Sequence, residues 1–101
     1  MDKKVMFRFY TIADYLEEER FLRKQHQSGY RFVKMILPGI YVFEKCLKED
    51  MIYQLDFYDG KASDLDSYMK MFNDCGWEYC GDCNNWKYFR NYFKKWNKRK
   101  I

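Results

Sequence analysis

The sequence lacks the features that mark several common classes of protein. No stretch approaches about 18 consecutive apolar residues, so no transmembrane helix is predicted. Arg8 interrupts the first residues, where a signal peptide would have its apolar core. There is no phosphate-binding glycine loop, no zinc-protease helix motif and no nucleophile elbow. We therefore expect a cytoplasmic protein that is not an enzyme and that needs no cofactor.

Titratable side chains offer few candidates for chemistry. His26 is the only histidine, it lies near the end of the first predicted helix, and no nucleophile is close to it in sequence. The negative end of the helix dipole favours a histidine there, so we interpret it as a solvated side chain and not as a catalytic base. The acidic run Glu17-Glu18-Glu19 is likewise typical of a solvated helix face.

Cysteine is present in four copies, but only Cys80 and Cys83 form a Cys-x-x-Cys pair. Reduced thiols are expected in the cytoplasm. The pair follows a strand signal and not a helix start, so no helix dipole lowers a thiol pKa there. A second pair, typical of a zinc site, is missing, and in an extended strand the two side chains point to opposite faces. We predict no metal site; the alternative is zinc bound by Cys46, Cys75, Cys80 and Cys83.

Aromatic residues are abundant, with nine Phe, ten Tyr and three Trp in 101 residues. A chain of this length forms one domain with a modest core. That core cannot hide so many rings, so some aromatic surface is expected to remain for a partner or ligand.

The basic charge is concentrated at the C-terminus. Residues 84–101 carry seven Lys or Arg and no acid, while the rest carries 12 bases and 15 acids. We predict a single α+β domain over residues 1–90 and a basic aromatic tail over residues 91–101. Such a tail is typical of proteins that bind nucleic acid or an anionic membrane surface. The alternative is that its bases only keep the chain soluble. The tail residues that carry this prediction are Lys94, Lys95, Trp96, Lys98, Arg99 and Lys100.

A strand, helix and hairpin pattern occurs twice. Residues Phe7 to Tyr10 lie 48 positions before Leu55 to Tyr58, with matching residue types in alternating segments. Thr11 and Ser63 are candidate helix N-caps. Both predicted helices end at a glycine and are followed by two aromatic strand segments each.

Two such βαββ-type halves predict a ferredoxin-like α+β sandwich. We expect one antiparallel sheet with both helices on one face, and with Phe7 and Leu55 turned away from water. The other face of the sheet is then open.

Four motifs carry a family resemblance over roughly Lys4 to Arg90. The order Gly29-Tyr30-x-Phe32, Tyr53-x-Leu55-Asp56-Phe57, Gly76-Trp77-Glu78-Tyr79 and Trp86-Lys87-Tyr88-Phe89-Arg90 resembles a bacterial family of unknown function, DUF2812. The resemblance implies no established activity and no catalytic residue. Many similar proteins continue into transmembrane helices, and some are encoded beside small transcriptional regulators. This chain departs from the longer members by stopping at Ile101, and from the usual aliphatic or aromatic pattern at Cys80 and Cys83.

The open sheet face is the predicted interaction surface. Asp56 alternates away from the helix side and is expected to pair with Arg8. An exposed apolar face usually marks an interface, so we predict a protein-interaction or regulatory module, a homodimer or a partner of another protein. Alternatives are nucleic-acid binding by the tail and sheet aromatics, association with a membrane surface, and, third, an enzyme. The predicted face comprises Arg8, Tyr10, Tyr41, Phe43, Asp56, Tyr58 and Phe89.

Overall fold

The computed structural model describes residues 2–94, which form two halves with the same order of elements. The first half consists of β1 (Lys3–Phe7), a 3₁₀ turn (Ile12–Asp14), α1 (Tyr15–Gln27), β2 (Tyr30–Ile36) and β3 (Ile40–Lys45). The second consists of β4 (Met51–Phe57), a 3₁₀ turn (Ala62–Asp64), α2 (Leu65–Asp74), β5 (Glu78–Cys83) and β6 (Trp86–Tyr92). No helix in this range is both long and apolar enough to span a membrane.

The duplication is visible in local detail. A bulge interrupts the β2–β3 ladder after Phe32, and a bulge interrupts the β5–β6 ladder after Tyr79, 47 residues later. Gly29 and Gly76 follow the two helices with φ of 96° and 89°, values that favour glycine. The α+β class and the two βαββ-type halves therefore agree with the pattern in the sequence.

The prediction of one continuous sheet is wrong. The strands form two separate three-stranded antiparallel sheets, ordered β1-β3-β2 and β4-β6-β5. Backbone N–H groups on the edge strands of the two sheets donate to side chains and not to a neighbouring strand. The Phe32 N–H donates to the Tyr53 hydroxyl at 3.2 Å, and the Leu55 N–H donates to Glu19 at 2.7 Å. These backbone groups are satisfied, so no strand pairing is needed to join the halves.

The prediction that both helices lie on one face is also wrong. α1 packs against both sheets, with Leu22 in the shared core. α2 covers the opposite face of the second sheet, where Phe72 stacks on Phe89 with ring centroids 4.0 Å apart. β6 is therefore buried on both faces, because Tyr88 points into the core from the side opposite Phe89.

The two sheets differ in what covers their equivalent faces. In the β1–β3 ladder Val5 lies opposite Val42, and in the β4–β6 ladder Leu55 lies opposite Tyr88. Leu55 is 6% exposed because the first half covers it, whereas Val5 is 65% and Phe7 58% exposed. The expectation that Phe7 is turned away from water is thus wrong, and the expectation for Leu55 is confirmed. Within residues 2–94 the outer strands of this face stay open, whereas Val42 on the central strand is 9% exposed.

Candidate ligand-binding cleft

A cleft of about 270 Å³ opens where the two halves meet. It lies between the start of α1, the β2–β3 turn, the end of β4 and the β5–β6 turn. Its lining is mainly aromatic and apolar, which is typical of small-molecule sites. The lining includes the side chains of Tyr10, Tyr15, Glu18, Cys83, Trp86 and Tyr88.

Glu18 is the one charged residue in this described lining, and it is only 7% exposed. The hydroxyls of Tyr41 and Tyr88 both donate to its Oε2, each at 2.6 Å. Burial, together with the adjacent Glu18 carboxylate, raises the pKa of both tyrosines. Glu18 thus joins α1 to a strand of each sheet while its side chain reaches the cleft.

The helical period explains how Glu18 reaches the interior. It lies three residues after Tyr15 and four before Leu22, on the apolar side of α1. Glu17, one position away, is exposed. Glu19 is half-buried and binds the Leu55 N–H, and burial raises its pKa despite that hydrogen bond. The interpretation of this acidic run as a solvated face is therefore wrong for Glu18 and Glu19.

Aromatic rings form one wall of the cleft. Trp86 stacks on Tyr15 at a centroid distance of 5.9 Å and meets Phe57 edge-on at 5.3 Å. Tyr10 also lines the cleft and packs edge-on against Tyr41 at 6.3 Å. The turn that carries Trp86 is a hairpin in which Asn84 has a φ of 57°, a value that asparagine tolerates better than most residues.

The thiol of Cys83 also lines the cleft. Burial and, to a smaller extent, the nearby Glu18 carboxylate raise its pKa. Cys80 packs against the same core as Cys83, because the bulge beside Gly81 breaks the alternation of β5. The expectation that the two thiols point to opposite faces is therefore wrong. Among the described residues no group of three or more His, Cys, Asp and Glu side chains could hold a metal, including one built from Cys46, Cys75, Cys80 and Cys83.

The structure does not bring the predicted interaction residues onto one exposed surface. Tyr41, Phe43 and Phe89 are buried in the interior, and Phe43 and Phe89 pack against α1 and α2 respectively. Of the predicted set, Tyr10 alone lines the cleft. Tyr58 packs on Tyr68 of α2 at 4.4 Å.

The predicted ion pair between Arg8 and Asp56 does not form. Arg8 donates to the Phe7 carbonyl and lies over the ring of Phe21. Asp56 accepts a hydrogen bond from the Tyr68 hydroxyl at 2.5 Å, on the α2 side of the second sheet. The two residues belong to different halves whose strands do not share a sheet, which the repeat in the sequence does not reveal.

His26 is buried, not solvated. It is 5% exposed, and its Nδ1 lies 2.7 Å from the Tyr53 hydroxyl. Burial and the neighbouring Arg90 lower the pKa of His26 to about 4. It does not line the cleft.

The basic tail falls almost wholly outside the described residues. β6 continues to Tyr92, and the Phe93 N–H then donates to the Asp50 carbonyl at 3.0 Å. Lys94 is exposed, whereas Lys95, Trp96, Lys98, Arg99 and Lys100 lie beyond residue 94. Binding of nucleic acid or of a membrane surface through this tail stays a prediction.

A family model described as "Protein of unknown function (DUF2812)" matches residues 14–100 and so confirms the resemblance seen in the motifs. The match includes Tyr15, Glu18, Trp86 and Tyr88 of the cleft. No curated protein and no solved structure matches the chain.

Proposed function

We propose that this chain, which belongs to the DUF2812 family of proteins of unknown function, is a non-enzymatic module that binds a small molecule in the cleft between its two halves. The observation that carries the proposal is the buried Glu18 carboxylate, held by two tyrosine hydroxyls at the floor of an aromatic cleft. Convergent polar groups within an apolar, largely pre-formed concavity are typical of ligand sites. The four cysteines form no disulfide in the described residues, which supports a cytoplasmic location as part of the proposal.

Binding is favoured over catalysis by the titration behaviour of the cleft. Tyr88 and Cys83, which line the cleft, and Tyr41, which bonds Glu18, all have a pKa raised by burial, so none of them is a ready base or nucleophile near neutral pH. His26, the usual candidate for proton transfer, does not line the cleft. A regulatory module whose halves respond to a bound molecule accounts for these features without a reaction.

The binding is tested by NMR on the whole chain with 2-phenylethanol and 2-phenylethylamine as probes. We expect at least one probe to move the indole N–H signal of Trp86 saturably, because this ring forms a wall of the cleft. The indole of Trp77, which is buried and does not line the cleft, serves as the internal control. If both probes leave the Trp86 signal in place, or move both indole signals alike, the proposal fails.

A second candidate function is self-association through the uncovered face of the first sheet. The corresponding face of the second sheet is covered by the first half of the same chain, whereas Val5, Phe7 and Ile36 stay exposed within residues 2–94. A second copy of the chain, contributing the same face about a two-fold axis, would bury these side chains.

Self-association is tested by sedimentation of the wild-type chain and of Phe7→Glu. We expect a dimer for the wild type and a monomer for the variant, because a charge on the buried face of a two-fold interface meets its own copy. A matched control is Phe57→Glu, whose half-exposed ring lies at the cleft and not on this face. A monomeric wild type at concentrations up to about 1 mM, the range of a very weak dimer, overturns this candidate.

A further inference from the structure

The charge at the floor of the cleft has no counter-ion in the described part of the chain. Five ion pairs occur there, and none includes Glu18. Its hydrogen-bond partners, Tyr41 and Tyr88, are neutral donors. A carboxylate that is removed from water without a cation is costly, and buried charges in folded proteins are usually paired.

The two tyrosines leave one oxygen of the Glu18 carboxylate free to accept a further hydrogen bond. Both hydroxyls donate to Oε2, so Oε1 remains for a further donor. In residues 2–94 the only fully enclosed side-chain oxygen or nitrogen without a partner is Oδ1 of Asn91, so Oε1 of Glu18 is not sealed inside the core. Because Glu18 lines the cleft, a donor that enters the cleft can reach it.

The walls around this acceptor are suited to a cation. Tyr10, Tyr15 and Trp86 line the cleft with Glu18, and Trp86 and Tyr15 present stacked rings. The electron-rich faces of tyrosine and tryptophan attract ammonium groups, more strongly where water is excluded. Lysine and arginine are absent from the described lining, so no basic side chain competes for the carboxylate.

The size of the cleft limits the rest of the ligand. An apolar cavity of roughly 150 Å³ is enough for benzene. The cleft of about 270 Å³ therefore has room for one ring with a short substituent. Its predominantly apolar lining favours burial of such a ring over solvent.

From these observations, and resting on the proposed binding function, we infer that the cleft selects small organic cations: an ammonium group that donates to Oε1 of Glu18, joined to one aromatic or similarly sized apolar group that packs against Trp86 and Tyr15. The ligand class is thus an aromatic or alkyl amine, and not a neutral or acidic metabolite of the same size.

The inference is tested with three probes of matched size that differ in charge. These are 2-phenylethylamine as the cation, 2-phenylethanol as the neutral analogue and phenylacetate as the anion. Their affinities for the wild-type chain are measured by NMR titration of the Trp86 indole signal. We expect the cation to bind at least about ten-fold more tightly than the neutral probe, which corresponds to about 1.4 kcal/mol, and the anion to bind most weakly.

Two variants locate the source of the preference. Glu18→Gln keeps a hydrogen-bond acceptor but removes the charge, and we expect it to bind the amine and the alcohol equally. Glu17→Gln removes an exposed charge from the same helix and is expected to keep the preference of the wild type. The probe series on the wild type decides the question even if Glu18→Gln does not fold.

The outcomes separate this inference from the proposed function. Equal binding of amine and alcohol to the wild-type chain, or tighter binding of phenylacetate, overturns the charge selection and leaves a neutral binding cleft. A preference for the amine that persists in Glu18→Gln overturns the assignment to Glu18. The inference and the proposed function both fail if neither the amine nor the alcohol moves the Trp86 signal at probe concentrations up to about 10 mM. A dissociation constant above that concentration is too weak for a specific ligand.

Discussion

The Tyr53 hydroxyl donates a hydrogen bond to Nδ1 of His26, with 2.7 Å between the two atoms. The direction follows from its other partners: the Tyr53 oxygen accepts from the Phe32 N–H at 3.2 Å and from Arg90 at 3.3 Å, so its own proton is available for the imidazole. The neutral ring therefore carries its proton on Nε2. Through His26 and Phe32, Tyr53 joins α1 to a strand of each sheet, and its bond to the imidazole requires His26 to stay uncharged beside Arg90.

Acidification should destabilise the fold through His26. Its pKa is about 4 in the folded chain against a usual value of 6.5, because burial and Arg90 disfavour the cation. Between these values the unfolded chain binds more protons, so the free energy of unfolding falls as pH falls. We expect a loss of about 2 kcal/mol between about pH 7 and pH 5, measured by urea denaturation.

The control for this prediction is His26→Gln, which cannot titrate. Its free energy of unfolding should not fall over the same range, because Glu19, whose pKa is raised by burial, stabilises the fold as pH falls. The range stops at about pH 5 because Glu78 and Asp50 have a pKa lowered by their hydrogen bonds to Arg90 and Arg23, and they lose stabilisation only at lower pH. An equal slope for both proteins would show that other groups cause it.

Removal of one of the tyrosine hydroxyls that bond Glu18 should lower the free energy of unfolding. Tyr88→Phe deletes one of the two hydrogen bonds to Oε2, both of which join neutral donors to a carboxylate. Bonds of this kind contribute roughly 1.5–3 kcal/mol, and we expect a loss of that size in chemical denaturation. Tyr15→Phe, which alters an exposed ring of the same cleft, should change the free energy of unfolding by less than about 0.5 kcal/mol. Equal effects of the two substitutions would contradict the role of this bond.

Because the second sheet is covered on this face and the outer strands of the first sheet are open, truncation of a side chain in the second sheet should lower the free energy of unfolding more than truncation at the equivalent position of the first sheet. Leu55→Ala opens a cavity in the shared core and should cost about 2–5 kcal/mol in urea denaturation. Val5→Ala, at the corresponding strand position of the exposed face, should cost well under about 1 kcal/mol when the chain is dilute enough to be monomeric. Equal losses for the two substitutions in the monomer would contradict the unequal covering, and a loss for Val5→Ala that grows with chain concentration is the result that self-association requires.

Cysteine reactivity should follow burial. Burial raises the pKa of the Cys80 thiol to about 12, so roughly one molecule in ten thousand carries its thiolate at about pH 8. Cys75 is exposed. Brief treatment with iodoacetamide, followed by peptide mass spectrometry, should label Cys75 first and Cys80 only after unfolding. Comparable rates for the two thiols in the folded chain would refute this order.

Much of the local structure was predictable from residue patterns. Alternation around Leu55 and the glycines at Gly29 and Gly76 indicated strands and helix ends, because period and backbone freedom are local properties. The duplication was equally legible, although the strand ladders match Val5, and not Phe7, with Leu55. Both matches leave the side chains on the same face, since they differ by two residues.

The cleft was only partly predictable. Spacing from Tyr15 and Leu22 could have placed Glu18 on the buried side of α1, but its partners come from distant strands. The run of three acids concealed this position, since the composition of such a run suggests a solvated surface.

Residue patterns alone specified the elements, their repetition and the excess of aromatic side chains. Packing between distant parts of the chain settled the rest: each half forms its own sheet, α1 packs against both sheets, and equivalent faces have different environments. The physical reason is that the period of a strand specifies which side chains share a face. The partner that accepts a hydrogen bond from the N–H groups at the edge of a strand depends on contacts between residues far apart in the chain. Here the acceptors are the side chains of Tyr53 and Glu19.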